Sequence, residues 1–251
     1  MAKKRRKYTR KKGIGRIIYG PVAFLLILAV LFFGLSVFFK IEDFEVVGNK
    51  AYARSEIIEA SGIKTGDNLF FVRKATASEK ICEALPYIHD VKISKELPNT
   101  IILTVTENAP IASVLIGGEY WVIDSSAKVL EKTNLAIADE LIQIDGLHPE
   151  TPVLNNKLAV PDEEKNSLRD LILILQSLME SDVYLGVTYL DVSNISRITF
   201  YYGGRFEILL GGANDVEYKM EMLQEVVSQL EENERGRIDL SRSNEASFTR
   251  E

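Results

Sequence analysis

Two histidines, one cysteine and two acidic clusters are the groups in this 251-residue chain from which chemistry could be built. A structural or catalytic zinc site gathers cysteine and histidine ligands at short spacings. Neither His89 nor His148 has a cysteine or a second histidine close to it in sequence. His89 beside Asp90 could form the base half of a nucleophilic dyad, but no serine or cysteine stands out as its nucleophile. Cys82, flanked by Ile81 and Leu85, reads as a small core residue, and a lone cysteine excludes an internal disulfide framework.

The clusters Asp162–Glu164 and Glu231–Glu234 fall at the ends of expected helices and read as solvated faces. Three glycine pairs, 117/118, 203/204 and 211/212, each end a strand-like run and read as turns rather than phosphate cradles. Met220 and Met222 belong to a helix stripe and serve packing. No catalytic, cofactor-binding or metal-ligating residue is therefore expected, and the chain reads as a binding protein.

The charge distribution says where such a protein works. Residues 1–16 carry nine basic residues and no acid. Setting those nine and Lys40 aside leaves 20 of the 30 basic residues against all 36 acidic ones, so residues 41–251 carry about −16. A body of that charge repels nucleic-acid phosphates. Residues 17–39 contain no charge, and as a helix at ~1.5 Å per residue they would span about 34 Å, enough for a hydrocarbon core of about 30 Å. A cleaved signal peptide would have a shorter apolar region and a small-x-small site, which SVFFK lacks. A transmembrane helix over 17–39 is expected, with the basic tail 1–16 retained in the cytoplasm and held to anionic lipid.

The remaining elements divide at Ala109–Pro110. Residues 40–109 read as β-α-α-β-β: a strand in 41–47, a short helix after Ser55 stopped by Gly62, a helix near 75–85 ended by Pro86, and strands 88–97 and 100–107. Residues 110–251 are richer in strands, with glycine-turn hairpins, a helix opened by Pro161, and a last helix near 215–230 that Asn214 would cap with Glu217 three residues on. The expected fold is α+β: one N-terminal transmembrane helix, the β-α-α-β-β module, and a second mixed β-sheet domain with two helices.

The stretch from FKIEDFEVVGN through GDNLFFV to VTENAP resembles the membrane-proximal POTRA domain of the FtsQ/DivIB family of bacterial cell-division proteins. ILLGGANDVEYKMEMLQEVVSQLEENERGRIDLS is similar to that family's closing pattern of strand, glycine, helix with an early lysine (Lys219), then I-D-L. Two positions depart from the family pattern, Asn108 after Glu107 and Ser241 after Leu240.

The resemblance implies a non-enzymatic, cofactor-free scaffold in the cell membrane at the division septum, with both domains outside. It implies binding to FtsL-like and FtsB/DivIC-like single-span proteins, and control of septal peptidoglycan synthesis. The partner would pair by β-augmentation with the last strand, Ala246, Ser247, Phe248, Thr249 and Arg250, where Phe248 is the apolar anchor and Ile238, Asp239 and Leu240 form the backing strand. A frayed terminus is the alternative for that segment. A second edge would lie at Val91, Ile93 and Lys95. Rival readings are a POTRA-type handler of unfolded polypeptides and a membrane-anchored cell-wall enzyme.

Overall fold

A computed structural model describes residues 15–242 and 245–250. The basic residues of 1–14 lie outside that range, as does the side chain of Arg16. Helix α1 (Gly15–Phe38) covers most of the expected anchor, with side chains described continuously from Tyr19 to Leu35. Among the described residues no helix is long and apolar enough to cross a membrane.

Five elements follow in the expected order: β1 (Asp43–Val47), α2 (Arg54–Ser61), α3 (Lys74–Ala84), β2 (Ile88–Glu96) and β3 (Thr100–Glu107), with a 3-10 turn at Leu69–Phe71 before α3. β3 is central, parallel to β1 and antiparallel to β2. A parallel pair needs a long crossover, which the two helices provide. Alternation buries Ile101, Leu103 and Val105 of β3 against Ile57 and Ile81 from the helices.

Helix α2 starts at Arg54, two residues before the expected start at Glu56. The Ala53 amide donates to Glu56 Oε2 (2.7 Å), satisfying the backbone where the helix begins, and Gly62 ends it at φ +69°. Glu107, next to the departure at Asn108, accepts hydrogen bonds from the Lys50 and Ala51 amides and so closes the turn after β1.

The second domain is one nine-stranded sheet. Its strands are β4 (Ala112–Ile116), β5 (Glu119–Ile123), β6 (Val129–Thr133), β7 (Ile142–Asp145), β8 (Val187–Asp191), β9 (Ile198–Tyr202), β10 (Phe206–Gly211), β11 (Gly236–Arg242) and β12 (Glu245–Arg250). Their spatial order is β12-β11-β10-β9-β8-β7-β4-β5-β6. Two long helices, α5 (Lys165–Met179) and α6 (Val216–Gln229), bury Leu171, Ile174, Leu175, Leu178, Met220 and Leu223 in the same core as Leu190, Phe200, Ile208 and Ile238 from the strands. A one-turn helix, α4 (Leu135–Ala138), joins the expected two, started by Asn134 Oδ1 accepting from the Ile137 amide at 3.2 Å.

Helix α6 departs from expectation at its start. Asn214 does not cap it; Asp215 occupies the cap position at φ +54° and offers no side-chain cap. A tertiary tie replaces the local one: Lys219 is 1% exposed, and its Nζ donates to the carbonyls of Leu210 and Gly212, both at 2.9 Å. Gly211 is likewise more than a turn residue. It has φ +74°, and a Cβ there would lie 2.8 Å from Ser241 Cβ, so glycine permits the close approach of β10 to β11.

The acidic clusters are engaged rather than merely solvated. Asp162 pairs with Lys165 (2.5 Å), Glu164 takes the His148 amide and ring (both 2.7 Å), and Glu234 pairs with Arg250. On the sheet face away from the helices, the Tyr189 hydroxyl donates to Asp145 Oδ2 (2.7 Å). This bond, with that from the Gly146 amide, holds the Asp145 carboxyl below its ordinary range. A depressed carboxyl contributes stability above its unfolded pKa, and that contribution is lost as pH falls through the folded value. The melting temperature of Asp145→Asn should thus lie below that of the parent chain at pH 7 and converge with it below about pH 4. An offset independent of pH would show that the charge plays no part.

A candidate partner-binding edge

A β-sheet binds another chain most simply where a strand leaves backbone groups unpaired, and the edge strands β6, β2 and β12 differ in how far the chain covers them. The edge at β6 is covered at its first residue by the chain itself. The Asn155 amide donates to Val129 O, and the Val129 amide donates to Asn156 O, both at 2.8 Å. Asn155 Nδ2 goes on to Cys82 O (2.7 Å) in the first domain, while Lys128 Nζ donates to Ile88 O (3.4 Å). Burial and a hydrogen bond to Glu131 push the Tyr87 phenol upward at the same junction.

Edge strand β2 of the first domain holds Val91, Ile93 and Lys95. The first two side chains are buried in the domain core. The Val91 carbonyl accepts from Ser78 Oγ on α3 (3.0 Å), and Lys95 Nζ donates to the carbonyls of Phe70 and Val72 (3.3 and 3.4 Å). Cys82, half buried, sits over the same edge with Sγ 3.8 Å from His89 O. Much of this strand's outer side is occupied by its own domain.

β12 is different. It pairs antiparallel with β11, Ile238 opposite Phe248 and Arg237 opposite Thr249, and it is the outermost strand of the sheet among the described residues. The segment is thus a strand in the structure and not a frayed end. Ile238 and Leu240 are fully buried, so they support the edge from within. Asp239 Oδ1 accepts from the amide of Ser241, the second departure from the family pattern (2.9 Å). Phe248 is half buried and packs edge-to-face on Phe206, ring centroids 6.0 Å apart, with Ala246 against the same core. That contact holds β12 on its own domain, with the Phe248 ring as its anchor there. Ser247, Thr249 and Arg250 are the exposed members.

A feature no local pattern could announce lies beside this edge. Register aligns Thr249, Arg237, Glu207, Tyr201 and Tyr189 in one row across five strands. Arg237 holds Glu207 Oε2 through Nε and Nη2 (2.9 and 2.7 Å), and Tyr201 stacks obliquely on Tyr189. The row borders a cleft of about 630 Å³ lined by Arg205, Arg235, Arg237 and Arg250. Arg205 lies over the Phe206 ring and donates to the Glu231 and Glu232 carbonyls. Glu207 and Glu234 answer two of the four arginines, and among the described residues no hydrogen bond or ion pair engages Arg235. The cleft is a cationic patch on an acidic body. Among the described residues there is also no cluster of three metal-ligating side chains.

Comparison with known proteins matches two family models along the chain. The family model for the POTRA domain, FtsQ-type, matches residues 39–108, and that for the cell division protein FtsQ/DivIB C-terminal region matches residues 112–241. The chain belongs to the FtsQ/DivIB family of cell-division proteins. It is 28% identical over 234 residues to cell division protein DivIB of Clostridium botulinum, covering 92% of this chain and 90% of the relative. It is 29% identical over 205 residues to DivIB of Clostridium acetobutylicum, covering 81% and 80%. Cell division protein FtsQ of Geotalea daltonii shares 32% identity over 96 residues, 38% of this chain and 34% of the relative. The FtsQ/DivIB match ends at Ser241, so β12 lies beyond it.

Proposed function

We propose that this FtsQ/DivIB protein is a non-enzymatic, single-pass scaffold of the division machinery at the septum. It captures FtsL-like and FtsB/DivIC-like single-span proteins outside the membrane by strand addition to β12, and through them influences septal peptidoglycan synthesis. The observation that carries the reading is the contrast between edges: β6 is covered at its start by its own chain, while β12 is outermost and borders a cleft lined by four arginines, its own Arg250 among them. Strand addition draws affinity from main-chain hydrogen bonds and specificity from side-chain sites beside them. The cationic cleft favours a partner whose added strand carries carboxylates near the Arg235 end.

The charge-free run 17–39 between Arg16 and Lys40 supports the membrane span, with the basic residues of 1–16 on the cytoplasmic side against anionic lipid. The strongly acidic body argues against a nucleic-acid partner.

Affinity capture of the full chain from detergent-solubilised membranes, with mass spectrometry of the bound single-span proteins, tests the reading. Arg235→Glu should lower recovery of the FtsB/DivIC-like protein about tenfold with the melting temperature unchanged, since Arg235 is exposed. Equal recovery would remove the cleft from the interface.

A further inference from the structure

We propose that the first domain is seated in the outer leaflet of the bilayer, with Phe70, Phe71 and Leu97 immersed at its surface, rather than standing clear of it. The inference rests on the reading of α1 as a membrane span. Three ties then fix how the domain meets the helix. Asn68 Nδ2 donates to Leu35 O (2.8 Å), taking one of the last four helix carbonyls, which have no partner within the helix. The Leu69 amide donates to Phe39 O (2.8 Å), and Lys40 bridges to Asn68 as a strand would. The 3-10 turn Leu69–Phe71 is thereby held alongside the last turns of α1, not at the end of a free linker.

The aromatic contacts set a depth. The Phe71 ring centroid is 6.1 Å from that of Phe32, and the Phe70 ring is 4.9 Å from that of Phe39. Phe32 precedes Lys40 by eight positions, about 12 Å along a helix axis at ~1.5 Å per residue. The span cannot slide outward to relieve this, because Arg16 and Lys40 bound the charge-free run and its length only slightly exceeds the hydrocarbon thickness. A ring 6.1 Å from Phe32 therefore lies several ångströms below the level of Lys40.

Exposure and charge fit the same occupant. Phe70, Phe71 and Leu97 are 49%, 62% and 61% exposed, apolar side chains that the protein covers only in part. Leu97 lies in the turn between β2 and β3, and the pairing of Asp43 with Thr100 brings that turn to the end of the domain where the chain leaves α1. Lys95 anchors the carbonyls of Phe70 and Val72, and the exposed Arg73 and Lys74 follow directly. Aromatic side chains at the interface with long cationic ones beside them match the acyl-headgroup boundary.

The test uses the full chain reconstituted in vesicles of phosphatidylcholine and phosphatidylglycerol with brominated acyl chains, which quench tryptophan on contact. Trp121 is the single tryptophan, so Trp121→Phe gives a silent background. In it, Leu28→Trp reports α1, while Phe71→Trp and Leu97→Trp report the domain surface. All three should lose more than half their emission, Leu97→Trp mainly to shallow bromines, and Trp121 in the parent chain should lose little. Quenching of Leu28→Trp without quenching of Phe71→Trp and Leu97→Trp overturns the seating and spares the span. Failure of all three overturns the span and the seating with it.

Discussion

Deleting residues 244–251 will lower capture of the FtsB/DivIC-like partner by at least about a hundredfold while the two domains stay folded. β12 contributes only Ala246 and Phe248 to its own core, both half buried, so its loss should cost the second domain a few degrees of melting temperature. A partner strand on β12 would gain main-chain hydrogen bonds worth roughly 1 kcal/mol each net. Three or so of them, together with the contact of Arg250, amount to the hundredfold change.

The deletion uncovers Phe206, so a second variant keeps the outcome interpretable. A Cβ on Gly236, at φ +151°, would stand 2.1 Å from the Thr249 carbonyl oxygen. Gly236→Ala must therefore displace the far end of β12 with the strand still present, and capture should fall about tenfold. Capture that survives the deletion undiminished would mean that the partner docks elsewhere. Capture that improves would mean that it replaces β12 on β11.

Local rules carried the first domain almost completely. Alternation marked the buried face of β3, Gly62 marked a helix end, and two helices between strands made a parallel pairing of β1 with β3 attainable. The same rules failed at the start of α6, because the strongest tie there joins Lys219 to carbonyls seven and nine positions away around a turn, and no cap preference competes with it. They also left open which way Phe248 faces. Its alternation marks a sheet face, but only the pairing of β12 with β11 decides that this face is the domain's own core.

The arginine cleft shows the deeper limit. Its members are distributed over residues 205–250, and their convergence follows from a register set by the whole sheet. The family resemblance pointed to the last strand but not to the cleft beside it. The apolar group of the first domain was equally hidden: Phe70 and Phe71 stand in the sequence only as part of GDNLFFV, and it is the tie of Asn68 to Leu35 that sets them beside α1.

Lys219→Met should destabilise the second domain by about 3 kcal/mol, because methionine fills the same space and donates nothing. The carbonyl of Leu210 is buried with the lysine amine, and that of Gly212 lies partly within the fold, so both lose their donor together. Leaving a buried acceptor unsatisfied costs about 1–3 kcal/mol. Burial also disfavours the charged amine and pushes its pKa down, with Asp215 offsetting part of that, so removing the charge returns some of the loss. For a domain of this size the net change should lower the melting temperature by about 10 °C.

Lys219→Arg separates charge from fit. It retains the charge, but its planar fork is larger than the site, and overpacking should cost about 1–3 kcal/mol. If Lys219→Met instead melts within a degree of the parent, water reaches both carbonyls and the lysine is not the tie between α6 and β10. If it melts early and also loses the partner at temperatures where it is still folded, the tie reaches further. Helix α6 packs on β11 and β12, so a lysine that fixes its start also bears on the edge to which the proposed partner would add.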